Sequence, residues 1–446
     1  MYYEGFFLFD NLEYWPLPEH LSLEVTNRCN LRCSHCFQSH FEFPRGDLRP
    51  EVWDKIKSLL VQIPSVSLSS AGEPLLASHF REMFLFVKGS AKKVSLTTNA
   101  HLLDKFLDLF VGSLDELNVS LDAVDEKLYF ARRKAPLQKV VSNLKALEKE
   151  KRQKGTPLPR LSFIVVLNRE NIGNLPEIVA FASQVGAESV IAYHQIFYTQ
   201  EAFLARSLFW TPELYDRYLK EALLVAQKAK VTLIHPGTFD GEIPPHPATA
   251  GYLSGTPERP FCSWIFKTAS VSWNGFVQAC CFCDRLLMGR IPEEDFKALW
   301  NGPAYRLLRL SFYQGKVPGE CRNCQFFQVL SLKEEKAFLC PHREGSFYQE
   351  EALLIPAPTL RWEKASVLYQ EGLNSFLRED WGAAAKIFEK IRDREPSYFE
   401  ALNALAVSFY FLGKKERARE LIKEACVLFP QEKKLFHNAF LMEKKS

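Results

Sequence analysis

The chain has 446 residues, 47% of them hydrophobic and 24% charged, with a formal net charge of +3. A length of this order exceeds a single hydrophobic core and predicts two to four domains, and the composition excludes a disordered chain. So small a net charge gives no electrostatic ground for nucleic acid or an anionic membrane as the main partner. No run of about 18 apolar residues occurs and Met1 to His20 lacks the features of a signal peptide, so the expectation is a cytoplasmic protein without a membrane span.

In chain order, short apolar strands alternate with longer amphipathic stretches from Leu21 to Tyr193. Strands are expected at Leu21 to Val25, Val66 to Ser69, Val94 to Thr97, Leu117 to Leu121, Leu161 to Leu167 and Ser189 to Tyr193. Helices are expected at Pro50 to Gln62, Leu102 to Phe110, Leu137 to Lys151, Leu175 to Gly186 and Thr211 to Lys230. Six βα units in series imply an α/β fold with a parallel sheet, doubly wound or curled into a barrel. A loop rich in Pro, Gly and Thr from Pro236 to Pro260 and a second linker at Pro356 to Pro358 divide the chain. The expected domains are 1–235, 236–355 and 356–446.

Eleven cysteines without an export signal point to metal or cluster ligation rather than disulfides, because the cytosol keeps thiols reduced. Three stand together after the first strand, in Thr26-Asn27-Arg28-Cys29-Asn30-Leu31-Arg32-Cys33-Ser34-His35-Cys36. Structural zinc and complete clusters usually take four protein ligands, so a triplet suggests an open coordination position. A zinc knuckle completed by His35, His40 or a distant cysteine is the bland alternative. Further along, Cys262, Cys280, Cys321 and Cys324 supply two pairs of thiolates, a set that suits zinc or an iron-sulfur cluster. Cys281 competes with Cys280.

The spacing Cys29-x3-Cys33-x2-Cys36 in a loop after the first strand resembles the radical S-adenosylmethionine (SAM) superfamily. The likeness extends to Ala71-Gly72-Glu73-Pro74, Thr97-Thr98-Asn99, Ser120-Leu121-Asp122 and Arg133. It implies a partial (β/α)6 barrel of the TIM type, with a 4Fe-4S cluster on Cys29, Cys33 and Cys36. S-adenosylmethionine would be held by His35, Gly72, Glu73, Asn99, Ser120 and Arg133. Glu73 would take the amino group, Ser120 the ribose, and Arg133 or the adjacent Arg132 the carboxylate. One-electron cleavage of the cofactor, fed by an external reductant, would give a 5'-deoxyadenosyl radical that takes hydrogen from a substrate carbon.

Cys262 to Cys324 resembles the twitch module, a shortened SPASM extension, which implies one auxiliary 4Fe-4S cluster on Cys262, Cys280, Cys321 and Cys324. In the last segment Gly372 aligns with Ala406, Phe376 with Tyr410, Ala384 with Ala418, Phe388 with Ile422 and Pro396 with Pro430. This period of 34 resembles two tetratricopeptide repeats, with Leu435 to Glu443 as a cap. The expected function is oxidation or cross-linking of a peptide or protein gripped by the repeats. The alternatives are a small-molecule dehydrogenase acting on a sugar-like alcohol, and a non-enzymatic adaptor stapled by metal.

Overall fold

The computed structural model describes residues 2–3, 6–7, 16–302 except 70, 249–252, 256–259, 263 and 281–282, then 304, 305, 308, 309, 312 and 321, and 368–444 except 370, 395–398 and 430–432. The chain divides into two compact units. One comprises Leu17–Phe296 and Val317–Leu354, the other Met1–Pro16, Lys297–Lys316 and Ile355–Ser446.

In the first unit all six expected strands form: β1 (His20–Leu23), β2 (Ser65–Leu68), β3 (Lys93–Thr98), β4 (Glu116–Ser120), β5 (Arg160–Leu167) and β6 (Ala187–His194). Each pairs in parallel with the next, for example Leu21 with Val66 and Leu117 with Leu161. Helices α1 (Pro50–Leu60), α2 (Phe80–Ser90), α3 (Glu126–Arg133), α4 (Leu137–Lys154), α5 (Leu175–Gln184), α6 (Gln200–Arg206) and α7 (Pro212–Ala229) lie between the strands in sequence. Helix α1 begins with Pro50 at its first position and buries Val52, Trp53, Ile56, Leu59 and Leu60, an apolar stripe at helical spacing. Helix α4 ends on Gly155 at φ +61°, a left-handed cap that glycine adopts without steric cost. Four of the many phenylalanines, Phe80, Phe84, Phe106 and Phe110, pack ring against ring with centroids 5.3–6.2 Å apart.

The sheet is larger than six strands. A seventh parallel strand, β7 (Thr232–Ile234), follows α7 and pairs with β6. On the other side β8 (Thr268–Val271) pairs in parallel with β1, Ala269 opposite Leu21. Antiparallel β9 (Phe276–Cys280) and β10 (Cys283–Arg290) extend the sheet beyond β8. The order is β10-β9-β8-β1-β2-β3-β4-β5-β6-β7, an open mixed α/β sheet consistent with an incomplete barrel of the TIM type. The second cysteine segment therefore continues the sheet past the expected boundary near residue 236. Loops at the C-terminal ends of the parallel strands carry the residues of interest, as the architecture dictates.

The second unit holds a helix at 371–377 followed by α8 (Trp381–Arg394), α9 (Phe399–Phe411), α10 (Lys415–Leu428) and α11 (Lys433–Lys444). Leu373, Phe376, Ala384, Phe388, Leu405, Ala418 and Ile422 are among the side chains of its buried core. A Cβ at Gly372 would come within 2.6 Å of the Phe388 ring, which accounts for a glycine there. Pro396 and Pro430 lie outside the described residues. Among the described residues no helix is long and apolar enough to cross a membrane.

Candidate active site

The long loop after β1 carries Cys29, Cys33 and Cys36, and its shape is fixed by its own polar side chains. Asn27 clamps the returning limb, donating from Nδ2 to the Pro44 carbonyl and accepting at Oδ1 from the Gly46 N–H, both at 2.8 Å. Asp47 accepts from Thr26 and Ser78 and pairs with Arg28. Gln38 ties the loop to the next one, donating to the carbonyls of Asn27 at 2.8 Å and Ala71 at 2.7 Å.

The Ala71-Gly72-Glu73-Pro74 turn after β2 lies against the cysteine loop, the Glu73 N–H donating to the Arg28 carbonyl at 2.7 Å. A Cβ on Gly72 would stand 2.2 Å from that same carbonyl oxygen, so any side chain forces the two loops apart. Gly72→Ala is accordingly expected to destabilise the fold by about 1–3 kcal/mol, which urea unfolding measures; unchanged stability would show that the close approach is dispensable.

Glu73 is 1% exposed. Its carboxylate accepts from Thr98 Oγ1 at 2.6 Å, the Asn99 N–H at 2.7 Å and the Leu75 N–H at 3.3 Å. Burial outweighs these donors and pushes the carboxyl up to about 7. A carboxylate offers about four acceptor sites, so these three leave room for one further donor. Asn99 joins the strand ends as well, donating from Nδ2 to Asn30 Oδ1 at 2.8 Å and accepting from the His101 N–H at 3.0 Å.

Asp122, just past β4, organises a second cluster. It is fully buried, accepts from the Val166 N–H at 2.9 Å, and places Oδ2 2.8 Å from Arg133 Nε, 3.2 Å from His35 Nε2 and 3.9 Å from Arg132 Nε. Burial alone would raise this carboxyl, but the charge of Arg133 first, with the adjoining His35 ring and the charge of Arg132, holds it well below the usual carboxylate range. His35 is itself pushed down to about 3 by burial, so at neutral pH its ring is neutral. Arg133 Nη1 lies 3.8 Å from Cys33 Sγ, and Ser34 N–H donates to the Arg132 carbonyl at 2.8 Å. The guanidinium of Arg133 thus stands between a carboxylate and a cysteine sulfur. Ser120 ends β4, half-buried and opposite Ile164.

Cys33 is buried and its two companions are half-buried. Burial pushes the Cys29 thiol up to about 11 and Cys36 up to about 12. Buried thiols of this kind lose their protons when a metal takes the charge. Among the described residues no three His, Cys, Asp or Glu side chains converge on the sphere of one metal ion.

In the second segment Cys262 is followed in space by Cys280, at the end of β9. Burial first, and the neighbouring Cys280 next, push the Cys262 thiol up to about 12. Cys321 is buried, while Cys281 and Cys324 lie outside the described residues. The sequence assigns no role to Asp122, Gln38 or Glu24, another buried acid just past β1. Two adjacent arginines ten and eleven residues after an acid at a strand end were the available signal for the first of these.

Residues 23–182 match the model of the Radical SAM superfamily and residues 262–325 that of SPASM, an iron-sulfur cluster-binding domain. The tungsten-containing aldehyde ferredoxin oxidoreductase cofactor-modifying protein of Pyrococcus furiosus is 29% identical over 383 residues, 78% of this chain and 99% of that one. A probable GTP 3',8-cyclase of Methanococcus aeolicus is 30% identical over 174 residues, 37% of this chain and 56% of its own. Among solved structures, SuiB of Streptococcus suis bound to S-adenosylmethionine has a similar fold, with a TM-score of 0.52 at 17% identity over 73% of this chain and 77% of that one.

The chain is an enzyme of the radical SAM superfamily. It carries a SPASM domain, and its cofactors are a 4Fe-4S cluster, S-adenosylmethionine and an auxiliary iron-sulfur cluster. The reading as a non-enzymatic adaptor is set aside.

Proposed function

We propose that this enzyme abstracts hydrogen from a carbon of a peptide or protein, oxidising or cross-linking it. The observation that carries this reading is the C-terminal set of packed helices. Gly372 and Ala406 fall on the first helix of successive pairs, and Ala384 and Ala418 on the second, as two tetratricopeptide repeats would have them. Such stacks present a concave surface to an extended polypeptide.

In this proposal Cys29, Cys33 and Cys36 hold the 4Fe-4S cluster. Gly72 and Glu73 receive the amino end of S-adenosylmethionine, Asn99 keeps Glu73 and the cysteine loop in register, and Ser120 faces the ribose. Arg133, anchored by Asp122, turns its remaining N–H groups toward the carboxylate, and His35 braces Asp122 from the other side. When bound, the reduced cluster and S-adenosylmethionine together supply a carbon-centred radical strong enough to break an unactivated C–H bond. The chain's part is to orient these groups and keep water from them.

The auxiliary cluster is proposed to be single and of the twitch kind, on Cys262, Cys280, Cys321 and Cys324, and to accept an electron from the substrate. Cys321→Ala is expected to lower iron content by about four atoms per chain while S-adenosylmethionine is still cleaved. Retention of that iron would remove Cys321 from the ligand set. The enzyme is further proposed to work in the cytoplasm with an external one-electron reductant, and to be built of the regions 1–235, 236–355 and 356–446.

A second reading draws on the Pyrococcus relative, whose name describes modification of a cofactor and which is matched over 99% of its length. A small molecule, such as a sugar-like alcohol, would then be the substrate and the helices a docking element. Deuterium tracing from candidate substrates into 5'-deoxyadenosine separates the two readings. Label arriving from a peptide supports the first. Turnover of a free small molecule by a chain lacking 365–446 supports the second.

A further inference from the structure

Glu24 stands one residue past β1 and is 8% exposed. Its two carboxylate oxygens reach different loops. Oε1 accepts the N–H of Ala71 at 3.0 Å, and Oε2 accepts the N–H of Trp273 at 3.1 Å. Its own N–H donates to the Val271 carbonyl at 2.9 Å, which locks its backbone to the end of β8.

The two amides belong to different cysteine regions. Ala71 opens the turn that carries Gly72 and Glu73. Trp273 sits in the turn between β8 and β9, and β9 ends at Cys280. That turn has little freedom, because Gly275 takes φ +93° and a Cβ there would lie 1.9 Å from the Ile291 carbonyl oxygen. Trp273 also packs against the returning limb of the first cysteine loop. A Cβ at Gly46 would meet its ring at 2.4 Å, Arg49 lies 5.6 Å over that ring, and the Arg49 N–H donates to the Trp273 carbonyl at 3.0 Å. A carboxylate accepting one backbone N–H on each side transmits a shift of either turn to the other, since both bonds share one rigid planar group.

We propose that Glu24 is a positioning residue that couples the S-adenosylmethionine turn at 71–74 to the turn at 272–275, so that cofactor occupancy in the first site stiffens the turn that leads into the strand carrying Cys280. The proposal rests on the site reading given above. By thermodynamic reciprocity, a change at the second turn alters affinity for S-adenosylmethionine by the same factor.

The test is peptide-level hydrogen-deuterium exchange on the reconstituted holoenzyme, with and without S-adenosylmethionine and with no reductant present. In the wild type, the cofactor is expected to slow exchange about fivefold or more, both in peptides covering 71–74 and in those covering 272–275. In Glu24→Gln the amide can accept only through its oxygen, and its NH2 confronts the other N–H. Protection of 71–74 should remain, the response of 272–275 should vanish, and the dissociation constant for S-adenosylmethionine should rise about tenfold. A wild-type 272–275 segment indifferent to the cofactor, while 71–74 is protected, overturns the coupling and leaves the site reading standing. A response at 272–275 that survives in Glu24→Gln overturns the assignment to this residue. If 71–74 itself ignores the cofactor, the site reading fails and takes the coupling with it. The wild-type comparison needs no variant, so a poorly folding Glu24→Gln does not protect the proposal.

Discussion

Cys33→Ala is expected to abolish release of 5'-deoxyadenosine under strong reductant, while the chain keeps about four of roughly eight iron atoms. Cys33 is the buried member of the triplet, and its sulfur lies 3.8 Å from the Arg133 guanidinium. Removing it deletes one of three thiolates and leaves that cation facing a void. The loop itself is braced independently by Asn27, Asp47 and Gln38, so the fold should persist. Iron analysis with electron paramagnetic resonance separates the two clusters in one sample. Undiminished 5'-deoxyadenosine from the variant would remove the triplet from the chemistry.

The second large effect concerns Asp122→Asn. The carboxylate is the common counter-charge of two buried guanidinium groups, and removing one partner of a buried pair typically costs about 3–5 kcal/mol. The asparagine oxygen can still accept from the Val166 N–H, so the loss reports the charge and not that bond. Urea unfolding of the two proteins measures it. The double variant Asp122→Asn with Arg133→Met should recover part of the loss, because it also removes a stranded cation.

The pH dependence has a fixed sign. A carboxyl held below its ordinary 3.8 in the folded state contributes stability in full above that pH, and loses it as pH falls through the folded-state value. The gap between wild type and Asp122→Asn should therefore be widest near neutrality and close in acid. A gap as wide at pH 2 as at pH 7 would mean that the loss comes from something other than the carboxylate charge.

Much of the sheet is legible in the sequence, because its strands place apolar residues at alternate positions. Leu21, Leu23 and Val25, and Leu161, Phe163, Val165 and Leu167, are all buried and stand out for that reason. Strand β7 escapes because it is three residues long and begins two residues after α7, with only Leu233 buried. Helix α3 escapes because the residues it buries include Arg132 and Arg133, which read as a solvated face until the Asp122 carboxylate is seen against them. Pairing of β8 with β1 is a contact between segments more than two hundred residues apart, and no local pattern encodes it. The cysteine triplet and Glu73 are legible since their meaning lies in spacing. Their supports, Glu24 and Gln38, are single polar residues that each reach the backbone of a distant turn, Ala71 in both cases and Trp273 in the first.

The neighbour relation between β1 and β8 also has a temporal side. On the ribosome β1 emerges early, yet one of its two edges has no partner until Thr268 to Val271 have been made, on the order of ten to fifty seconds later at ordinary synthesis rates. Throughout that interval the nascent chain carries a bare strand edge leading straight into three free thiols. The loop that carries Cys29, Cys33 and Cys36 thus gains its last support, the Trp273 ring against Gly46, only when the chain is well past its midpoint.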